Sequence, residues 1–323
     1  MTSDVTSPDT PLPARPTIAV IGAGAVGAYY GGRLAQHGHD VHFLLRSDYA
    51  AVRKYGWTVR SCHGDFELAP DAARAYNDPS EMPKADLVIV TLKTTSNDQY
   101  QPLISPLIKD NTAFLTLQNG LGNEARLAEL FGQRRVMGGM AFVCINRIEP
   151  AVIHHIAEGQ VTLGEWGRPA GARVKGVAAM FEAAKVPTRV VDDLAYGRWE
   201  QLIWNIPFNG LSATLDQTTD LLLATPEGEE LVRSLMREVI AAARAADNVT
   251  LPESLIQAKI DQTRGMGPYK TSSHLDMQAG RPMEVEAIFG YPLRRAQEAG
   301  AQTPLLWGLY RLLKLRDAAR TLR

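Results

Sequence analysis

The sequence is poor in the residues from which many small secreted proteins and metal-binding modules are built. Its 323 residues include only two cysteines, Cys62 and Cys144, which lie far apart and form no C-x-x-C pair. A disulfide framework and a zinc ribbon are therefore not expected, and a reducing cytoplasm is the expected location. The seven histidines show no H-E-x-x-H spacing, so the sequence predicts no metal site.

Long apolar runs and an excess of charge of one sign are also missing. No stretch approaches the roughly 18 apolar residues of a membrane helix, and the formal net charge is −1. That balance gives no electrostatic reason to expect a nucleic acid or a membrane as a partner. Residues 1–15 are rich in Pro, Ser, Thr and Asp, so we expect a disordered tail there rather than a secretory signal.

The remaining sequence changes its pattern near residue 191. From residue 16, short apolar runs such as TIAVI and ADLVIV alternate with helical stretches, which is typical of βαβ units and a parallel sheet. From residue 192 the apolar spacing is helical. We therefore predict an α/β fold, with a Rossmann-type parallel-sheet domain over residues 16–191 and an all-α domain over residues 192–323. The helical domain would bind substrate, with the active site in the cleft between the domains, and the sequence leaves a homodimer open.

A glycine-rich turn follows the first predicted strand directly and opens a helix. It consists of Gly22, Ala23, Gly24, Ala25, Val26 and Gly27. In such a turn the first glycine permits a tight bend, and the second lets the backbone approach a pyrophosphate. The third lets the helix pack against the strand, and the helix N-terminus attracts the diphosphate. The motif predicts a dinucleotide site; glycines needed only for packing are the alternative.

The end of the second predicted strand distinguishes NADP from NAD. An NAD site usually has an acidic residue there, which binds the ribose 2′-hydroxyl. Here VHFLL is followed by Arg46 and Ser47, a guanidinium and a hydroxyl that suit a 2′-phosphate. We therefore expect NADPH. Asp48 keeps NAD open, and a solvated loop arginine is the other alternative.

Three amide side chains recur at intervals of four residues in an otherwise apolar helical segment. Gln201, Asn205 and Asn209 would share one face of the helix. A buried amide without a partner costs about 1–3 kcal/mol, so this row indicates a helix that lines a polar cleft. Hydrogen bonds from the amides to neighbouring backbone are the alternative.

A second polar cluster lies around Gly280. Lys270 and Ser272 are suited to binding a substrate carboxylate, and Glu284 to holding a ribose or nicotinamide group. Taken alone, this segment is equally consistent with a solvated loop between helices.

Together these features resemble the ketopantoate reductases (2-dehydropantoate 2-reductases). The resemblance runs from residue 17 to about residue 313. It rests on IGAGAVG, VTLK, LQNGLGNE, W-x-x-L-x-x-N-x-x-x-N and S-x-x-x-D-x-x-x-G-R-P-x-E. It implies NADPH-dependent reduction of a 2-keto acid to a 2-hydroxy acid, in the first place of 2-dehydropantoate to pantoate.

The resemblance also implies roles for the matching residues. The implied cofactor contacts are residues 22–27, Arg46, Lys93, Asn119 and Glu284, with Ser47 added from its hydroxyl. The implied substrate contacts are Asn119, Asn205, Asn209 and Ser272, with Lys270 added from its charge.

One position departs from the family pattern. Where the family has its general-acid lysine, one turn before the first asparagine, this sequence has Gln201. An amide can donate a hydrogen bond to a carbonyl, but it supplies neither a proton nor a positive charge. We therefore expect Lys93, Lys270 or an ordered water to supply the proton, with Glu284 helping to order the catalytic site. The alternatives are a different 2-keto acid as substrate, or a non-catalytic protein that binds NADPH as a sensor.

Overall fold

The computed structural model describes residues 10–320, and these form two compact units. Within the described chain, the first unit contains the residues up to 118 and residues 123–194, and the second contains residues 119–122 and those from 195 onward. Of the predicted tail, residues 1–9 lie outside the described residues, and residues 10–15 contain no helix or strand. Among the described helices, none has both the length and the apolar character needed to cross a membrane.

The described part of the first unit contains one ten-stranded sheet. Its strands are β1 (Thr17–Ile21), β2 (Asp40–Leu44), β3 (Trp57–Ser61), β4 (Phe66–Leu68), β5 (Ala75–Tyr76), β6 (Leu87–Val90), β7 (Ala113–Thr116), β8 (Val136–Glu149), β9 (Val152–Glu165) and β10 (Thr188–Val190). They lie in the order β4-β3-β9-β8-β7-β6-β1-β2-β5, and β10 pairs with β9.

The sheet is mostly parallel, as the sequence predicts, but it includes two antiparallel pairs. β1 pairs in parallel with β2 and β6, and the parallel run continues through β7 to β8. By contrast, β3 pairs antiparallel with β4, and β8 antiparallel with β9. Only two residues separate β8 from β9, and a parallel pair needs a crossover of a dozen residues or more. The short connection therefore dictates the antiparallel pairing, while the predicted α/β class is confirmed.

Helices cover both faces of the sheet in the first unit. They are α1 (Ala25–Gln36), α2 (Tyr49–Tyr55), α3 (Tyr100–Ile104), α4 (Asn123–Phe131) and α5 (Ala172–Ala183). Successive residues of a strand point to opposite faces, and β1 illustrates the result. Ile18 and Val20 are buried in the core that includes α1 and α5, whereas Ala19 and Ile21 are buried in the core that includes α3 and α4. Burial on both faces explains why β1 is a continuous apolar run.

The second unit is helical, as predicted. Its helices are α6 (Leu194–Leu215, of which Leu194 belongs to the first unit), α7 (Thr219–Leu222), α8 (Pro226–Asp247), α9 (Ser254–Arg264), α10 (Ser272–Gln278), α11 (Tyr291–Glu298) and α12 (Pro304–Ala319). A π-helical turn, Glu286–Gly290, leads into α11. Helix α6 contains the whole predicted amide row, and it continues through Pro207.

Candidate active site

The glycine-rich turn has the geometry of a dinucleotide-binding turn. Gly22 has φ +78°, and a Cβ there would lie 2.4 Å from the Leu92 side chain. A Cβ at Gly27 would lie 2.4 Å from Thr91 Oγ1, so this glycine is needed for α1 to pack against the sheet. Gly24 is exposed, and the nearest atom to a Cβ there would be the Gly22 carbonyl oxygen at 3.9 Å. The backbone is thus open to a ligand at the second glycine.

The N-terminus of α1 is equally suited to an anion. The helix begins at Ala25 with no side-chain cap, so its first N–H groups are available to a diphosphate. The turn itself is held from both sides. The Gly22 and Ala23 N–H groups donate to the Leu44 carbonyl at 3.3 Å, and Thr91 Oγ1 donates to the Gly22 carbonyl at 3.1 Å. The residues present therefore fit a dinucleotide, and its diphosphate would be held at this helix end.

The loop after β2 separates the two nucleotide alternatives. Arg46 and Ser47 are exposed, and within residues 10–320 no hydrogen bond or ion pair engages the Arg46 guanidinium. Asp48 is buried and forms an ion pair with Arg147, and its carboxylate also accepts a hydrogen bond from Ser47 Oγ at 3.1 Å. Because Asp48 is engaged in this way, it is a poor partner for a ribose 2′-hydroxyl. Arg46, whose guanidinium suits a 2′-phosphate, has no such partner within residues 10–320 and is available to bind one.

Lys93 follows β6, at the same edge of the sheet as the two preceding loops. Since β1, β2 and β6 are parallel neighbours, the residues after their carboxyl ends lie at one edge, where open α/β sheets bind ligands. The Lys93 side chain is exposed and precedes the 3₁₀ turn Thr94–Gln99. In that turn, Asn97 Oδ1 accepts a hydrogen bond from Gln118 Nε2 at 2.8 Å. The loops after β6 and β7 are thereby tied together.

In the second unit, the residues 119–122 are held against the π-helical turn by two glycines. Gly120 has φ +81°, and a Cβ there would lie 2.3 Å from the Ala287 carbonyl oxygen. The Leu121 N–H donates to the same oxygen at 2.9 Å. Gly122 has φ +91°, and a Cβ there would lie 2.9 Å from the Tyr291 ring. This close packing fixes Asn119, whose Oδ1 accepts a hydrogen bond from Gln201 Nε2 at 3.4 Å.

The amide row on α6 is incompletely satisfied within the described chain. Gln201 Oε1 and Asn205 Nδ2 are buried atoms that have no hydrogen-bond partner. Asn209 differs, because its Oδ1 accepts from Ser272 Oγ at 3.2 Å and from the Ser273 N–H at 3.3 Å. The backbone alternative therefore does not account for Gln201 and Asn205. Two unpaired polar atoms on one helix face are the pattern expected where a polar ligand binds.

Ser212 is a further polar residue on this helix face, and it is not among the residues predicted from the sequence. Ser212 is completely buried, and its Oγ has no partner within the described residues. It lies three positions after Asn209, a spacing that places both on one side of a helix. The signal was present in the sequence, because the serine continues the amide row by almost one turn.

The second polar cluster is brought to the row only in part. Ser272 begins α10 and bonds to Asn209, whereas the exposed Lys270 donates from Nζ to Gln278 Oε1 at 2.9 Å. Gln278 is the last residue of α10, about 9 Å along the helix from Ser272 at 1.5 Å per residue. Glu284 is buried and lies just before the π-helical turn.

Comparison with known proteins identifies the family. The model "Ketopantoate reductase PanE/ApbA" matches residues 18–168, and its "C terminal" counterpart matches residues 193–317. A 2-dehydropantoate 2-reductase of Nostoc sp. is 43% identical and aligns over 93% of this chain and 94% of its own. The chain belongs to the ketopantoate reductase family.

Solved structures agree with this assignment. The crystal structure of 2-dehydropantoate 2-reductase from Geobacter metallireducens is 46% identical, with a TM-score of 0.90 over 92% of this chain and 99% of its own. A D-mandelate dehydrogenase solved with NADH and anilino(oxo)acetate shares the fold with a TM-score of 0.87 at 22% identity. As a ketopantoate reductase family member, the chain is an NADP-dependent oxidoreductase.

Proposed function

We propose that this ketopantoate reductase family member reduces 2-dehydropantoate to pantoate with NADPH. The observation that carries the proposal is the amide row, in which Gln201 Oε1 and Asn205 Nδ2 are buried and unpaired within the described residues. A substrate that has a carboxylate, a carbonyl and a hydroxyl offers partners to both kinds of atom. The relatives from Nostoc sp. and Halobacterium salinarum, at 43% and 29% identity, are both 2-dehydropantoate 2-reductases.

Each side chain of the row would take a different part of the substrate. Asn205 Nδ2 is a donor and suits the carboxylate or the hydroxyl, while Ser272 Oγ, held by Asn209, suits the other end of the keto acid. With Gln201 Nε2 bonded to Asn119, Gln201 presents an acceptor. A concerted flip of both amides would present Nε2 to the substrate carbonyl instead, since amide orientations are assigned from such networks.

Proton supply is the step that Gln201 cannot perform. NADPH, when bound, supplies the hydride, so the chain must supply a proton to the developing alkoxide. Lys270 is held by Gln278 at the end of α10 remote from Ser272. Lys93 lies at the edge of the sheet where the dinucleotide turn lies. We therefore take Lys93, or a water that it orders, as the candidate source of the proton.

The proposal is tested by following NADPH oxidation with 2-dehydropantoate, other 2-keto acids and matched NADH controls. We expect the wild-type protein to turn over 2-dehydropantoate. The turnover rate should fall by about 10²–10⁴-fold in Lys93→Met, because this is the usual contribution of a general acid, and it should change little in Lys270→Met. Equal activity of Lys93→Met and wild type would overturn the role of Lys93. Gln201→Lys, which restores the family residue, should increase turnover if 2-dehydropantoate is the substrate.

Gln201 also supports a second candidate, a reductase of a different 2-keto acid. In that case, 2-dehydropantoate is turned over poorly, another member of the panel is reduced well, and Gln201→Lys lowers activity with that acid. Tight NADPH binding without oxidation by any keto acid would instead indicate the sensor. A cytoplasmic location and pairing of copies through the helical unit remain predictions; sedimentation of the purified protein tests the second.

A further inference from the structure

Two strands of the first unit bring together three metal-binding side chains that lie far apart in sequence. Cys62 and His63 follow β3, and His155 lies on β9. β3 and β9 pair in parallel with Ser61 opposite His155, and the Cys62 N–H donates to the His155 carbonyl at 3.1 Å. One sulfur or nitrogen atom from each of the three side chains lies within 4.8 Å of the other two. The proposed reductase site uses none of these three side chains.

The separations suit a tetrahedral zinc ion. Zn–S and Zn–N bonds of about 2.3 and 2.0–2.1 Å place the sulfur and nitrogen of two ligands about 3.6 Å apart at a tetrahedral angle. Cys62 Sγ lies 3.8 Å from His155 Nδ1, close to this separation. It lies equally far from Nε2, so the exposed thiol has to turn toward the Nδ1 side for both atoms to bind one ion. His63 is exposed, and its Nδ1 makes a long contact of 3.5 Å with the Tyr29 hydroxyl. A rotation of the ring that gives up this contact would close the third side.

His155 is held in the orientation that metal-binding histidines usually have. Its Nε2 lies 3.1 Å from the carbonyl oxygens of both Ala157 and Glu158, so the ring hydrogen is on Nε2. Its Nδ1 accepts a hydrogen bond from Ser61 Oγ at 2.9 Å, and a metal ion at Nδ1 would take the place of that hydroxyl hydrogen. Metal-binding histidines commonly donate their other N–H to a backbone carbonyl in this way.

We propose that Cys62, His63 and His155 form a zinc site with one position open to water. A thiolate with two imidazoles favours zinc over magnesium or calcium, which prefer oxygen ligands. The Arg33 guanidinium lies beside the cluster and donates to the His63 carbonyl at 3.1 Å, so its charge opposes the cation. The site is consequently an exchangeable one with three protein ligands, distinct from the closed four-ligand sites that hold structural zinc.

Zinc titration of the full chain after treatment with EDTA tests the proposal, with a chromophoric chelator as competitor. We expect one zinc ion per chain, and slower reaction of Cys62 with a thiol reagent when zinc is bound. Cys62 is exposed and Cys144 is buried, so the reagent reports on Cys62. Cobalt should give a thiolate charge-transfer band, which a site without sulfur would lack.

Two exposed ligands provide variants that should fold. Cys62→Ser and His63→Ala should weaken zinc binding at least about 10–100-fold, the loss typical even of residues that only support a ligand. His154→Ala is the matched control, because His154 is the exposed neighbour of His155 and points to the other face of β9. Unchanged affinity in Cys62→Ser and His63→Ala, or no zinc bound by the wild-type chain, would overturn the site.

Discussion

Asn205 and Asn209 lie one turn apart on α6, yet the structure predicts opposite effects on stability when each is replaced by leucine. Asn205 Nδ2 is buried without a partner among the described residues, whereas Asn209 Oδ1 accepts from Ser272 Oγ and the Ser273 N–H. Leucine is close to asparagine in size and carries no polar atom. Asn205→Leu therefore removes an unsatisfied group, and Asn209→Leu removes two hydrogen bonds.

The magnitudes follow from the cost of unpaired polar groups. Relief of one buried amide should raise the free energy of unfolding by about 1–2 kcal/mol in Asn205→Leu. Asn209→Leu should lower it by about 2–3 kcal/mol, because two bonds are lost and the buried Ser273 N–H is left unpaired. Both variants should lose roughly 10–100-fold in kcat/KM, since each removes a hydrogen bond to the substrate or to the Ser272 that holds it.

Urea unfolding of the ligand-free variants, together with NADPH oxidation assays, measures both quantities. A gain in stability combined with a loss of activity is the signature of a residue retained for function. If Asn205→Leu were as unstable as Asn209→Leu, Asn205 would have a structural partner. The amide row would then no longer be evidence for a substrate site.

Two further predictions concern the first unit. Arg46→Ala should weaken NADPH binding roughly 10–100-fold, because a charged hydrogen bond is lost, and leave NADH binding nearly unchanged. Arg53→Ala, which replaces an exposed arginine on the next helix, is the control. Equal losses for both cofactors in Arg46→Ala would contradict the assignment of Arg46 to the 2′-phosphate. The pKa of His155 is about 4 in the folded chain against the usual 6.5, so the unfolded chain binds more protons between these values and stability falls as pH falls. From pH 7 to 4.5 His155→Gln should therefore lose about 2–3 kcal/mol less stability than wild type. Parallel curves for the two proteins would refute the shift.

Local patterns in the sequence were sufficient to predict the amide-row helix and the glycine-rich turn. The helix predicted from the amide row is present as α6, because apolar residues at helical spacing surround the three amides. The glycine turn was predicted because only a few backbone arrangements need glycine at those three spacings. The same reasoning could not give the pairing of β8 with β9, since long-range register depends on which strands meet.

Contacts between distant residues account for what the sequence could not show. The sequence left Asp48 available for a ribose, whereas in the structure it forms an ion pair with Arg147, about one hundred positions away. The Lys270 ammonium donates to Gln278, eight positions further along the chain, and no local pattern indicated that partner. The Cys62 and His155 side chains follow no metal-binding spacing, because a strand pair rather than a short motif brings them together. In each case the sequence showed the type of residue but did not show which distant residue it contacts.

The replacement of the family lysine by Gln201 changes how the whole row must act. A lysine at that position supplies charge and a proton, so the neighbouring amides need only position the substrate. With an amide there, a developing alkoxide would meet only the neutral dipoles of the amide row, and its charge would have to be balanced by a cation outside that row. Under the proposed function Lys93 would supply that cation, because it follows β6 at the carboxyl edge of the sheet, where the dinucleotide turn also lies. The Lys270 ammonium is instead bound to Gln278. The activities of Lys93→Met and Gln201→Lys are therefore coupled: if Lys93 replaces the missing acid, Lys93→Met should cost much less in the Gln201→Lys background than in wild type.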